Sequence, residues 1–177
     1  MITSTNSEQV ALVRYGVIPE VAKFRVPASV TPERRGKVVV ETHRGLQLGD
    51  CLQLIRDTST ELSSAVVRSA TADDQQTAVR LQTQCSSEFN EWTQRISDWN
   101  IAVELLDLEY TLDGSKLILY VLNDRGPDCT RLAIQAAAAG LGIVEVQPVN
   151  RDGLVQLESQ SGGGGCGSGG GGCGCSH

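Results

Sequence analysis

Residues 105–122 read LLDLEYTLDGSKLILYVL, and the fold turns on how this stretch is understood. Leu106, Leu108, Tyr110 and Leu112 alternate with Asp107, Glu109 and Thr111, the period of a strand with one buried face and one wet face. Asp113-Gly114 comes next, a dipeptide that supplies the positive φ angles of a tight hairpin turn. Leu117 to Leu122 is then apolar on both faces. A strand covered on both sides lies inside a sheet, so the hairpin is expected at the sheet's centre.

The segments on either side look built to cover or extend that sheet. Thr71 reads as a helix N-cap, with Asp74 as its partner in a capping box. From there Ala78, Leu81, Cys85, Phe89, Trp92, Ile96 and Trp99 recur at spacings of three and four, one apolar stripe on a helix that Asn100 can end. Such a helix, over 72–100, is roughly 40 Å long, whereas a sheet of ordinary strands is about 20 Å deep. One end is therefore expected to project and find another partner. Trp92 and Trp99 lie on the stripe, either as core residues or as exposed binding anchors. After the hairpin, Asp128 can cap a helix reaching Ala139, with Gly140 as its C-cap, and Ile143 to Gln147 reads as a last strand ended by Pro148. Helix, strand, strand, helix, strand over 72–150 predicts an α+β unit like a ferredoxin-like split βαβ sheet, helices on one face.

Upstream, Val10–Tyr15, Val21–Val26, Lys37–Thr42 and Leu46–Arg56 read as short strands, the last interrupted at Gly49-Asp50, with Gly and Pro turns between them. That pattern over 1–56 predicts a small β-barrel-like domain. Arg44-Gly45 is either a charged tip on that barrel or a turn glycine beside a solvated arginine. A polar connector at 57–71 marks the domain boundary, and 151–177 forms a Gly/Cys-rich tail.

Charge is uneven: residues 1–56 carry eight Lys/Arg against five acids, while the whole chain has a net charge of -6. An acidic protein is a poor general nucleic-acid binder. The basic first third, through Arg34, Arg35 and Arg44, could still meet RNA or an acidic protein surface. The N-terminus lacks a secretory pattern and no stretch reaches the length of a membrane span, so a cytosolic protein is expected. No Ser-His-Asp arrangement or P-loop occurs, and His43 and His177 are the only histidines. Asp107 and Glu109 on a strand more often mark solvation than acid–base work. A non-enzymatic role is expected.

Cys51, Cys85 and Cys129 are scattered through predicted elements, where cytosolic cysteines behave as small hydrophobes. Cys166, Cys173, Cys175 and His177 sit together in the tail. Thiolates and imidazole are ligands for zinc or an iron–sulfur cluster. The spacing matches neither a CxxC pair nor a common ferredoxin run, and a metal would have to offset the cost of ordering polyglycine. A low-complexity tail without a specific role, metal binding and a redox thiol all stay open.

Several local patterns resemble one family. Val40-Glu41-Thr42, Arg44-Gly45-Leu46 and Gly49 are similar to the V-E-T-x-R-G-L-x-x-G stretch of the YaaT-like family, which carries the PSP C-terminal domain. Arg68-Ser69-Ala70-Thr71 with Asp73-Asp74 resembles its linker into a long helix, and residues 107–116 resemble its D-V-E-Y-T-F-D-x-x-K hairpin. The resemblance runs in order from about residue 10 to 150. It implies a cytosolic, non-catalytic adaptor or regulator. Bacterial members work with two small helical partners in ribonuclease Y-dependent mRNA processing and developmental decisions, and are associated with cysteine-held iron–sulfur clusters. The tail departs from the family: Arg151-Asp152 is present, Glu-Ala-Lys is absent, and Cys173-Gly174-Cys175 stands where an adjacent cysteine pair would be.

Overall fold

The computed structural model describes residues 8–57, 62, 64–123 and 126–155. The chain forms β1 (Glu8–Tyr15), β2 (Glu20–Arg25), β3 (Lys37–Thr42), β4 (Gly45–Asp57), β5 (Ala65–Ser69), α1 (Ala72–Asp98), β6 (Glu104–Tyr110), β7 (Lys116–Leu122), α2 (Pro127–Ala138), β8 (Ile143–Asn150) and β9 (Gly153–Leu154). The architecture is mixed α+β, with two sheets and two helices.

The first sheet runs β1-β2-β5-β3-β4 and closes on itself. Closure between β2 and β5 rests on one parallel pair, Arg25 with Ala65, so the sheet is only lightly sealed there. Its interior holds Ala11, Val13, Phe24, Val38, Val40, Cys51 and Val66. Two expectations are corrected. β4 runs unbroken through Gly49-Asp50, because Gly49 lets β1 come close: a Cβ there would lie 2.4 Å from a Val13 methyl. Ala65–Ser69, expected within a connector, is a strand paired with β3. Its buried Val66 alternates with exposed Val67, so five residues suffice to seat it.

The second sheet runs β6-β7-β8-β9. β6 and β7 form the expected hairpin, antiparallel from Glu104↔Leu122 to Tyr110↔Leu117, but at one end of the sheet rather than its centre, with β6 the edge strand and β7 the inner one. Gly114 has φ +68°, and Asp113 braces the turn by accepting from Thr111 Oγ1 at 2.6 Å and Ser115 Oγ at 2.9 Å. A bulge between Leu105 and Asp107 shifts the phase of β6. Leu106, expected on the buried face, is therefore 39% exposed, while Leu105 and Leu108 face the core. β7 and β8 pair directly and in parallel, with α2 as the crossover and no strand between them. Pro148 stands inside β8 rather than ending it. Its carbonyl accepts from Val155 N–H on the side away from β7, so its missing donor is not needed by the ladder.

Both helices cover one face of this sheet. Cys85, Trp92 and Ile96 of α1 and Leu132 and Ala136 of α2 pack with Leu105, Leu108, Leu117, Leu119 and Val121. The capping box at Thr71 forms: Asp74 N–H donates to Thr71 Oγ1 at 3.2 Å and Thr71 N–H to Asp74 Oδ2 at 2.8 Å. Trp99 is the C-cap and Asn100 takes φ +51°. α2 starts two residues earlier than expected, with Gly126 rather than Asp128 as N-cap and Pro127 in the first turn, and Asp128 instead pairs with Arg131. No helix among the described residues is long and apolar enough to cross a membrane.

Candidate functional site

The second face of β7 is where the two halves meet. Ile118 and Tyr120 point away from the helices and pack with Val149, Ile18 and Leu154. The closed sheet lies over them. The double-sided apolarity of β7 thus reflects a docked neighbour as well as a central place in the sheet.

Arg44 is the hub of this seam. It follows the β3 strand in a tight turn, where its N–H donates to Thr42 Oγ1 at 3.1 Å. Gly45 follows with φ +127°, and a Cβ there would sit 2.9 Å from the Thr111 methyl, so a glycine lets the β3–β4 turn press onto the β6–β7 hairpin. Leu112 N–H donates to Leu46 O at 2.7 Å and ties the same two turns together. The Arg44 side chain is fully buried. Its guanidinium pairs with Glu20 and lies over Tyr15 at 5.8 Å and Tyr120 at 5.9 Å from the ring centres, one ring from each half. Both sequence readings placed Arg44 in solvent. The structure corrects them: an aromatic pair and a carboxylate compensate the desolvation of the charge.

Glu109 of β6 is the second hub. Its Oε1 accepts from Gln47 Nε2 at 2.7 Å, and its Oε2 from Tyr120 Oη at 2.5 Å and Val17 N–H at 3.2 Å. Gln47 in turn accepts from Thr42 Oγ1 at 2.8 Å. Burial first, and the Glu109 carboxylate second, hold the Tyr120 phenol well above its ordinary pKa, so it remains a hydrogen-bond donor. Burial likewise raises Tyr15. For Arg44, burial pulls downward, but Tyr120 and Glu20 outweigh it and the net shift is upward. Among the described residues, Arg44 Nε is the buried side-chain nitrogen left without a hydrogen-bond partner.

Beside this seam opens a cleft of about 400 Å³. Leu81 and Gln82 of α1, Val17 and Leu48 of the closed sheet, and Asp107 and Glu109 of β6 line it. It forms where the N-terminal half of α1 approaches the closed sheet. Arg68 holds that end of the helix, its Nη2 donating to Asp74 Oδ1 at 2.8 Å. The predicted overlong helix therefore finds its second partner within the same chain. Arg68 first, then the Thr71 groups, keep the Asp74 carboxyl well below its usual range. Burial pushes the Cys85 thiol up to about 11, and burial followed by Glu88 pushes Tyr110 up to about 12. Neither group ionises at neutral pH.

The other predicted site residues scatter. Arg34 and Arg35 are exposed on the loop before β3, near Arg14 and Lys37, which both pair with Asp50. Trp92 is 2% exposed and packs edge-on to Trp99 at 6.4 Å. It belongs to the core and presents no surface for an anchor, while Trp99 is partly buried beside it. Cys166, Cys173, Cys175 and His177 lie outside the described residues. Among the described residues, no three His, Cys, Asp or Glu side chains come together as metal ligands. The sequence reading missed Tyr15, Glu20, Gln47 and Tyr120. Only Tyr120, a hydroxyl within an apolar run, carried a signal, since a buried phenol requires a partner.

No curated protein and no solved structure gives a match to this chain. Residues 64–136, which span β5, α1, the β6–β7 hairpin and most of α2, match the family described as the PSP1 C-terminal conserved region, and this supports the PSP C-terminal domain family for that part of the chain.

Proposed function

We propose that the chain is a non-catalytic adaptor or regulator that works by holding surfaces for other proteins. The observation that carries this reading is the fate of the ionisable groups at the seam. Arg44, Glu20, Glu109, Tyr15 and Tyr120 are bound to one another across the seam and hold two halves in a fixed relation. Catalytic acids and bases need access to a substrate proton, and these groups are spent on structure. The family match supports a regulatory role in general terms. By resemblance, a YaaT-like part in ribonuclease-dependent mRNA processing is the specific form we favour, with the tail residues Cys166, Cys173, Cys175 and His177 as candidate ligands for a cluster or zinc.

Affinity capture of the full chain from its native host, in gentle salt, tests the adaptor reading. Recovery of the same partner proteins at reproducible stoichiometry is expected. Recovery of none would overturn it.

A second reading, RNA binding, draws on the exposed cations Arg14, Arg34, Arg35 and Lys37 at one end of the closed sheet. Arg44 takes no part, being buried. Affinity for a mixed-sequence RNA should then fall steeply with salt and weaken when Arg34 and Arg35 become glutamine. Salt-insensitive or absent binding removes this reading.

A further inference from the structure

The cleft between α1, β6 and the closed sheet differs from the seam beside it. Its walls are apolar, with Leu81, Leu48 and Val17, its charged groups are the carboxylates of Asp107 and Glu109, and its neutral polar groups are Gln82, Ser86 and Tyr110. None of the residues lining it is Lys, Arg or His. Glu109 is committed to three donors across the seam. Asp107 is only half-buried and, among the described residues, its carboxylate accepts just from the neighbouring Leu108 N–H, at 2.8 Å.

The strand at the floor of the cleft is not open to another strand. Asp107 already occupies the Leu108 N–H. Edge donors spent on side chains cannot pair with an added strand. What remains is a slot for a side chain, apolar along its length and negative at its end. A long aliphatic stem carrying a cation fits that chemistry. A phosphate or acidic group does not, since two carboxylates would repel it.

We infer that this cleft receives an arginine or lysine side chain of a partner polypeptide, the stem lying on Leu81, Leu48 and Val17 and the charged head reaching Asp107. This deepens the adaptor reading and rests on it. It makes Asp107 the residue that selects the partner by charge.

The probe is a capped peptide, acetyl-Leu-Arg-Leu-amide, titrated into the full chain and followed by amide NMR, with Gln and Glu versions as controls. Shifts are expected at Gly16, Gln82, Ser86 and Leu108 for the Arg peptide, and none for the Glu peptide. Asp107→Asn keeps the acceptor for Leu108 N–H, so the fold should survive, and it should weaken the Arg peptide about tenfold, the loss of one charge-assisted bond. Gln82→Arg on the rim should supply a cation in cis and abolish binding. The inference is overturned by equal binding of the Gln peptide, by an unchanged affinity in Asp107→Asn, or by wild-type self-association that Gln82→Arg removes, which would assign the cleft to a second copy. Partners captured equally by wild type and both variants would also overturn it while leaving the adaptor reading intact. An empty capture would instead defeat the adaptor reading.

Discussion

The two faces of β7 are held by opposite kinds of chemistry. Toward the helices, Leu117, Leu119 and Val121 meet an apolar layer that includes Trp92 and Leu132. Toward the closed sheet, Tyr120 enters a set of charges and hydrogen bonds built on Arg44 and Glu109. An apolar layer depends on volume and tolerates repacking. A buried polar set depends on every member, because each loss leaves a partner desolvated and alone. The first face makes a core, and the second fixes how one half sits on the other.

The strongest way to break this contrast is Arg44→Met. It strands Glu20 and is expected to cost about 3–5 kcal/mol in urea unfolding. The double variant Arg44→Met with Glu20→Leu should recover most of that loss, since it removes both charges. If the double is as damaging as the single, the polar face is not governed by unpaired charge. Leu119→Ala on the other face should cost about 2–5 kcal/mol, and no second substitution of a polar group should rescue it. Tyr120→Phe sharpens the comparison further. It keeps the ring beneath Arg44 but removes one donor from Glu109, for a loss of about 1–3 kcal/mol. Thr71→Ala removes the helix cap at the edge of the seam, an expected loss of about 1 kcal/mol.

The smallest effect is a pH dependence. The Asp74 carboxyl is held below its unfolded value, chiefly by Arg68. Its contribution to stability is thus present above the unfolded carboxylate pKa, near 4, and is lost as pH falls toward the folded value. Arg68 is 48% exposed, so the contribution should stay below about 1 kcal/mol. Asp74→Asn should flatten the acid limb of stability by that amount, and an unchanged limb would deny the link.

Much of this was legible in the chain, because local rules and tertiary structure agree there. The three-and-four spacing from Ala78 to Trp99 buries Leu81, Cys85, Trp92 and Ile96, and Thr71 with Asp74 forms the capping box that its spacing announces. Asp113-Gly114 turns the hairpin. Other features depend on contacts that no window of sequence contains. Leu106 faces out because a bulge in β6 shifts its phase. Val66 is buried because β3 lies beside it. Arg44 is dry because residues far along the chain supply its lid. The seam was the least readable part for that reason: its members come from β1, β2, the β3–β4 turn, β4, β6 and β7. The cleft shares that origin, since α1, β6 and the closed sheet must all be in place before it exists.

The distance between Gln47 and Glu109, 62 residues along the chain, bears on how the protein is made. At roughly 5–20 residues per second, Gln47 is synthesised about 3–12 s before the carboxylate it will bond. Once β5 is made, and until β6 follows, the first sheet has its strands but not its cover, and the guanidinium destined for the interior is still hydrated. Docking of the β6–β7 hairpin is therefore the event that expels this water, and a ribosome paused within β6 would carry a nascent chain whose front half is assembled yet still wet at its future seam.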